Sequence, residues 1–89
     1  MKAVFIESLE NIRHLSETDE YNLTHHGFLD LEIAVKEDEG DDFMQQVKNG
    51  DDLEVVRGKK SYKSKITKLS RFNVHKITFT LVWLDHKKL

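Results

Sequence analysis

Two segments of strict apolar–polar alternation constrain the fold of this chain more than any other feature of its sequence. In Phe28–Lys36 every second residue is apolar, namely Leu29, Leu31, Ile33 and Val35. Val74–Leu84 has the same period, with Ile77, Phe79, Leu81 and Trp83 on one face. Successive side chains of a strand point to opposite faces, so this period predicts two half-buried strands. The second face of Val74–Leu84 turns apolar at its end, which predicts a central strand or one that closes a barrel.

Three shorter segments complete the predicted set of strands. They are Lys2–Glu7, which is apolar on both faces, Asp52–Arg57 and Ser61–Leu69. We expect Gly58 to supply a tight turn at positive φ between the last two. Ser70–Asn73 is expected to turn the chain into the final strand, and the tail Asp85–Leu89 to fray.

Helical signals are short. Ser8–Ser16 fits a helix with Ser8 as its N-cap, and a continued strand is the alternative. A second helix is predicted to begin at Asp42, with a capping box completed by Gln45. It carries Phe43 and Val47 on one face and ends at Asn49-Gly50.

Two polar segments predict irregular structure. Glu17–Gly27 has no apolar period and predicts a loop. Glu37–Asp42 is almost entirely acidic and contains Gly40, so it predicts a solvated turn.

These elements predict one α+β domain spanning residues 1–89. The chain has 89 residues, which gives room for one domain and not two. We expect a strand-rich fold with about five mostly antiparallel strands and one or two short helices. The sheet is either open and twisted or curled into a small barrel.

A short stretch of sequence resembles known small barrels. The opening strands of SH3-like small barrels resemble the run Asp52-Leu53-Glu54-Val55-Val56-Arg57-Gly58-Lys59, followed by Ile66. With the strand Lys76–Leu84, the same run is similar in outline to small barrel proteins that join phage heads to tails. Ser64 stands where the SH3-like pattern commonly has a second glycine. The resemblance implies a small barrel and a phage-type assembly role, and it transfers no functional residues.

Charge is distributed unevenly along the chain. The net charge is −2, yet residues 1–54 carry 15 Asp or Glu and 4 Lys or Arg, whereas residues 55–89 carry 1 and 10. The two parts therefore have net charges of −11 and +9. A charge asymmetry of this size indicates that the protein could bind a charged partner.

The basic charge is concentrated in one predicted hairpin. Its candidate binding residues for a nucleic acid or an acidic partner are Arg57, Lys59, Lys60, Lys63, Lys65, Lys68 and Arg71, with the aromatic residues Tyr62 and Phe72. Lysines interleaved with aromatic residues can follow a phosphate backbone and stack on bases. The alternative is that the lysines protect an exposed sheet edge from aggregation.

The acidic residues supply the matching candidate surface for a basic partner. Its members are Asp30, Glu32, Glu37, Asp38, Glu39 and Asp41. If the two signs segregate, the particle is bipolar and suits head-to-tail self-association or docking on a charged protein. Alternatively, Asp30 and Glu32 face Lys63 and Lys65 as cross-strand pairs, and the split is structural.

Catalytic and metal-binding chemistry has little support in the sequence. The chain has no cysteine, which excludes disulfides and thiolate zinc sites. His25-His26 is a weak metal candidate, since adjacent residues do not converge on one ion. No serine lies in a motif that activates a hydroxyl, and the glycines are dispersed. We therefore expect no cofactor, no bound metal and no enzymatic activity.

The sequence thus favours a non-enzymatic protein–protein interaction domain with an adaptor, assembly or inhibitor role. Nucleic-acid binding through residues 57–71 is the alternative. No apolar run approaches the length of a membrane span, so we expect no membrane partner and a cytoplasmic location.

Overall fold

Four strands form a single antiparallel sheet in the computed structural model, which describes residues 7–85 and side chains from residue 10 onward. The strands are β1 (Phe28–Ala34), β2 (Asp52–Arg57), β3 (Lys60–Asn73) and β4 (Lys76–Trp83). The helices are α1 (Glu7–Ile12), α2 (Glu17–His26) and α3 (Glu37–Gln46). The predicted α+β class is therefore confirmed.

The strand order is β1-β4-β3-β2, so β4 is an interior strand, which was one of the two predicted alternatives, although Val82 and Leu84 on its second face are exposed. β1 and β2 lie at opposite edges and do not pair with each other. Over residues 7–85 the sheet is consequently open rather than a closed barrel, and it has four strands rather than about five. Of the predicted strand Lys2–Glu7, only Glu7 is described, and it belongs to α1. Ser8 follows it within that helix and is not an N-cap.

All helices pack on one face of the sheet. The strand residues on that face form the core, and the largest of them are Leu29, Ile33, Tyr62, Ile66, Ile77, Phe79 and Leu81. Leu23 of α2 and Phe43 of α3 are fully buried against them, and the rings of Phe43 and Phe79 lie 6.2 Å apart. We call the opposite, helix-free side the open face.

The loop predicted at Glu17–Gly27 is wrong, because these residues form α2. The Ser16 hydroxyl accepts a hydrogen bond from the Asp19 backbone N–H at 3.1 Å, which caps the helix. Gly27 ends it at a φ of 82°, where a side chain would be strained. Since Leu23 is its only buried residue, α2 lacks the apolar period by which a sequence reveals a helix.

The acidic turn predicted at Glu37–Asp42 is also wrong, because it forms the first half of α3. The N-cap is Lys36, not Asp42, and the Glu39 carboxylate accepts a hydrogen bond from the Lys36 backbone N–H at 2.9 Å. Acidic residues in a first helical turn interact favourably with the helix dipole. The helix ends at Gln46, with Val47 as its C-cap, before Asn49-Gly50. Phe43 and Val47 are both buried, as their shared face predicted.

β3 is longer than predicted, since the expected turn at Ser70–Asn73 is part of the strand. The register between β3 and β4 shifts between Thr67 and Ser70 and again between Arg71 and Asn73. Lys68, with a φ of 53°, marks the first irregularity. The chain turns instead at residues 74–75. The expected tight turn at Gly58 is confirmed, with a φ of 60°.

Candidate interaction surface

The basic hairpin, defined as β2, the turn at Gly58-Lys59 and β3, carries seven of the basic residues and only two acidic ones, Asp52 and Glu54. Pairing from Asp52 opposite Lys65 to Arg57 opposite Lys60 gives it a regular antiparallel ladder. Alternation then directs Tyr62 and Ile66 toward the helices and Lys63 and Lys65 toward the open face.

Three of the seven basic residues are engaged within the fold. The Arg57 guanidinium lies 3.4 Å from the Glu20 carboxylate of α2. Lys65 pairs with Asp52 at 2.9 Å on the neighbouring strand. Arg71 pairs with the Asp41 carboxylate and donates to the Glu37 and Val74 carbonyls at 3.0 Å each, so it ties α3 to the β3–β4 turn.

The other four basic residues are lysines that form no ion pair with any side chain described, that is, within residues 10–85. These are Lys59 and Lys60 at the tip of the hairpin, Lys63 on the open face and Lys68 at the irregularity in β3. All four are exposed. Their positive charges are thus exposed to solvent and are not neutralised by any of the described side chains.

Tyr62, an aromatic candidate of the hairpin, lies in the core with 7 % of its surface exposed. Its hydroxyl donates to the Glu20 carboxylate at 2.6 Å, and its ring meets the edge of Trp83. That hydrogen bond, with burial and the negative charge of Glu20, raises the pKa of Tyr62 to about 12, partly opposed by Arg57. Tyr62 is therefore not available for stacking on a base.

Phe72, the second aromatic candidate, is 70 % exposed. It lies near the end of β3 that is remote from the tip of the hairpin. The Lys76 ammonium group is 5.3 Å from the centre of its ring. Phe72 is thus accessible but separated from Lys59 and Lys60 by most of the length of β3.

Most of the acidic charge lies in the helices. α1, α2 and α3 contain two, three and five acidic residues and no Lys or Arg. Glu37, Asp38, Glu39 and Asp41 lie in the first half of α3, which Arg71 holds at the far end of β3. The molecule is 41 Å long, and the 14-residue β3 runs along most of that length. The acidic end of α3 and the tip of the hairpin are therefore at opposite ends of the molecule.

Asp30 and Glu32 lie on the open face of β1, and their predicted pairing with Lys63 and Lys65 is wrong. β4 separates β1 from β3. Asp30 instead accepts a hydrogen bond from the Thr80 hydroxyl at 2.5 Å, and Glu32 lies 3.7 Å from the Lys76 ammonium group.

His25 and His26 occupy the last turn of α2 and not a loop. The His25 ring stacks on Tyr21 at 3.8 Å, whereas the His26 ring is 6.1 Å from that of Phe28. Among the side chains described, those of residues 10–85, no three from His, Asp or Glu come together in a way that could hold a metal ion. Within the same range, no helix has the length and apolarity needed to cross a membrane.

Two residues that shape this surface gave no signal in the sequence. Glu20, assigned to a loop, joins Tyr62 to Arg57. Gly40, assigned to a turn, is buried beneath the Arg71 guanidinium. Comparison of the chain with protein-family models, curated proteins and solved structures found no match.

Proposed function

We propose that this chain is a non-enzymatic interaction domain that binds an acidic surface of a protein partner through its basic hairpin. The observation that carries the proposal is the division of the seven basic residues. Arg57, Lys65 and Arg71 serve the fold. The four remaining lysines have no ion-pair partner among the described residues and face solvent.

Charge separation adds to this argument. The acidic end of α3 and the tip of the hairpin lie at opposite ends of β3, so these two segments are separated charges of opposite sign, and Glu20, which lies near the tip, is paired with Arg57. Such a distribution orients a charged partner during approach and speeds association. It suits the adaptor, assembly or inhibitor role that the sequence favours, and it also permits head-to-tail stacking of copies.

Nucleic-acid binding through the same hairpin is the second candidate, supported by the same four lysines. A single-stranded nucleic acid is held by lysines together with aromatic rings on which its bases stack. Here Tyr62 is buried and bound to Glu20, and Phe72 is remote from the tip. Since neither aromatic residue of the hairpin is an exposed ring at its tip, the arrangement favours a protein partner.

Fluorescence anisotropy with labelled probes tests both candidates. A poly-glutamate peptide represents an acidic protein surface, and DNA and RNA oligonucleotides represent the alternative. We expect the peptide to bind at low salt and to dissociate as salt is raised. A stronger response to DNA or RNA, with a steep dependence on salt, would favour the second candidate.

Two double variants with equal changes in net charge locate the binding surface. Lys59→Glu with Lys60→Glu reverses the tip of the hairpin and should weaken peptide binding about tenfold or more. Lys36→Glu with Lys48→Glu reverses two exposed lysines outside the hairpin and should have little effect. Equal losses in the two variants, or no response to any probe at low salt, would refute a function of the basic hairpin.

A further inference from the structure

β1 presents unpaired backbone groups along the outer edge of the sheet. The Trp83 backbone N–H donates to the Gly27 carbonyl at 2.9 Å, and the Val35 N–H donates to the His75 carbonyl at 3.0 Å. These bonds extend the β1–β4 register by one residue at each end, so the odd-numbered residues of β1 direct their N–H and C=O groups toward β4. The even-numbered residues direct theirs away from the sheet, where none of the described residues bonds to them. They are Phe28, Asp30, Glu32 and Ala34.

The opposite edge strand, β2, is partly covered. The N–H of its outward residue Val56 donates to the Arg13 carbonyl at 2.7 Å, and its carbonyl accepts from the Leu15 N–H at 2.9 Å. β1 has no such cover within the described residues, and it contains no proline, no lysine and no shift of register, which are common devices against pairing with another strand. The edge of β1 is therefore a template for one more strand.

The core is incompletely sealed along the same edge. Leu29 and Ile33, on the helix side of β1, are 5 and 4 % exposed, whereas Leu31 between them is only partly buried. In an added strand, the residue opposite Leu31 would project from the same side of the sheet and pack against it. An apolar side chain at that position would remove more of Leu31 from water, so the edge favours an apolar residue there.

Charge determines which residues flank that apolar one. Asp30 and Glu32 project from the open face of β1, and residues opposite them in an added strand would have Cβ atoms about 5 Å away. Asp30 accepts a hydrogen bond from the neutral Thr80 hydroxyl, which leaves its charge in place. Glu32 lies 3.7 Å from the Lys76 ammonium group, but their side chains are 67 and 41 % exposed, so water screens this pair.

The elements around β1 are acidic as a whole. β1, β4, α2 and α3 together contain ten acidic residues and one basic residue, Lys76. Lys36 lies between β1 and α3, and Arg57 and Arg71 reach into the helices from the hairpin. Even with these four cations, the region keeps a net charge of −6. It should therefore attract a basic segment.

We propose that β1 binds an extended, basic segment of a partner protein as a fifth, antiparallel strand of the sheet. Two basic residues lie opposite Asp30 and Glu32, and the apolar residue between them lies opposite Leu31. The β1 strand of a second copy would place acids against acids, so charge selects a different chain as the occupant. The site does not depend on the proposed function, because it uses none of the lysines of the basic hairpin.

Amide hydrogen exchange of the full chain, followed by NMR, tests the free edge. The N–H groups of Leu31 and Ile33 face β4 and should be protected. Those of Asp30 and Glu32 face outward and should exchange at least about tenfold faster. Protection of the outward groups in the free protein would show that another segment of the chain, or a second copy, already occupies the edge. That result would overturn the proposal.

A labelled, blocked peptide in which lysine and valine alternate over seven residues, the length of β1, is the probe for binding. Fluorescence anisotropy should detect binding, and the bound peptide should slow exchange at Asp30 and Glu32 about tenfold. Methylation of the lysine backbone nitrogens removes the N–H groups that face β1 and should abolish binding. Methylation of the valine nitrogens, which face solvent, should not. Similar binding of the two methylated peptides, or stronger binding of the first, would exclude antiparallel strand addition.

Two double variants with the same change in net charge locate the site. Asp30→Lys with Glu32→Lys should weaken binding of the lysine–valine peptide about tenfold or more. Asp52→Lys with Glu54→Lys reverses two exposed acids at the same spacing on β2 and should have little effect. A comparable loss in both variants would exclude β1 as the site. Circular dichroism confirms that each variant is folded.

The hairpin variant Lys59→Glu with Lys60→Glu separates this site from the proposed function. It should bind the lysine–valine peptide at least as well as the wild type does, because the hairpin takes no part in strand addition. Loss of binding in this variant would overturn the independence of the β1 site.

Discussion

Replacing Gly40 with alanine should destabilise the protein, although the same change at most interior helix positions is favourable. Gly40 lies within α3 and is buried. A Cβ atom there would be 2.6 Å from Nη2 and 3.0 Å from Cζ of Arg71, and 3.1 Å from Cγ2 of Val35. The guanidinium would have to move, and it is held by the hydrogen bonds that tie α3 to the β3–β4 turn.

The magnitude follows from the bonds that would break. Nη2 of Arg71 donates to the Glu37 and Val74 carbonyls, and each bond contributes about 1 kcal/mol. The pair with Asp41, whose side chain is 58 % exposed, adds less than about 1 kcal/mol. Alanine gains about 1 kcal/mol in helix propensity over glycine. The free energy of unfolding should therefore fall by about 1 to 2 kcal/mol.

Urea unfolding followed by Trp83 fluorescence and circular dichroism measures this loss. With a slope of about 1 kcal/mol per molar urea, the midpoint should fall by about 1 to 2 M. The control is the same change in an Arg71→Ala background, where the guanidinium is absent and the 3.1 Å contact with Val35 is the close contact left. There Gly40→Ala should be neutral or should stabilise the protein by up to about 1 kcal/mol. Equal effects in the two backgrounds would show that the Arg71 side chain is not the reason why position 40 requires glycine.

Three further predictions concern the hairpin. The pKa of Tyr62 in the fold is raised to about 12. The protonated Tyr62 hydroxyl therefore stabilises the fold fully below pH 10, and the free energy of unfolding should fall by about 2 kcal/mol as the pH rises from 10 to 12. Tyr62→Phe should remove this dependence from denaturation curves and the corresponding step from the ultraviolet titration. Lys68 has a φ of 53°, which glycine adopts without strain, so Lys68→Gly should stabilise the protein by about 0.5 to 1 kcal/mol and raise its thermal midpoint. Lys63→Gly, the control in regular strand, should lower the thermal midpoint by a similar amount. Ser64 is fully buried, and its hydroxyl has no hydrogen-bond partner in the described part of the chain. Ser64→Ala should stabilise the protein by about 1 kcal/mol, and a loss on urea unfolding would indicate an undetected partner.

The strands were largely predictable because a half-buried strand repeats every two residues. Leu29 and Ile33 in β1, and Ile77, Phe79 and Leu81 in β4, are buried where the alternation required it. The helices were less predictable. α2 buries one residue, and α3 begins with five acidic residues and a glycine among its first six positions. Neither presents an apolar stripe long enough to outweigh the turn-like composition.

The candidate surface was only partly predictable for a different reason. The sequence identified all seven basic residues of the hairpin but could not separate those that serve the fold from those that face solvent. That separation depends on residues distant in sequence, such as Glu20 for Arg57 and Asp41 for Arg71. It also depends on strand order, since β4 keeps the acids of β1 away from the lysines of β3.

What the sequence alone determined is local: the strand segments, their buried faces and the concentration of positive charge between Arg57 and Arg71. These features follow from neighbours in the chain, through alternation and composition. Only the tertiary structure decided which strands are adjacent, which charges neutralise one another and which face of the sheet the described helices cover. Those outcomes arise from contacts between residues that are distant in sequence. They are determined together, because all of these contacts form when the one shared core is buried.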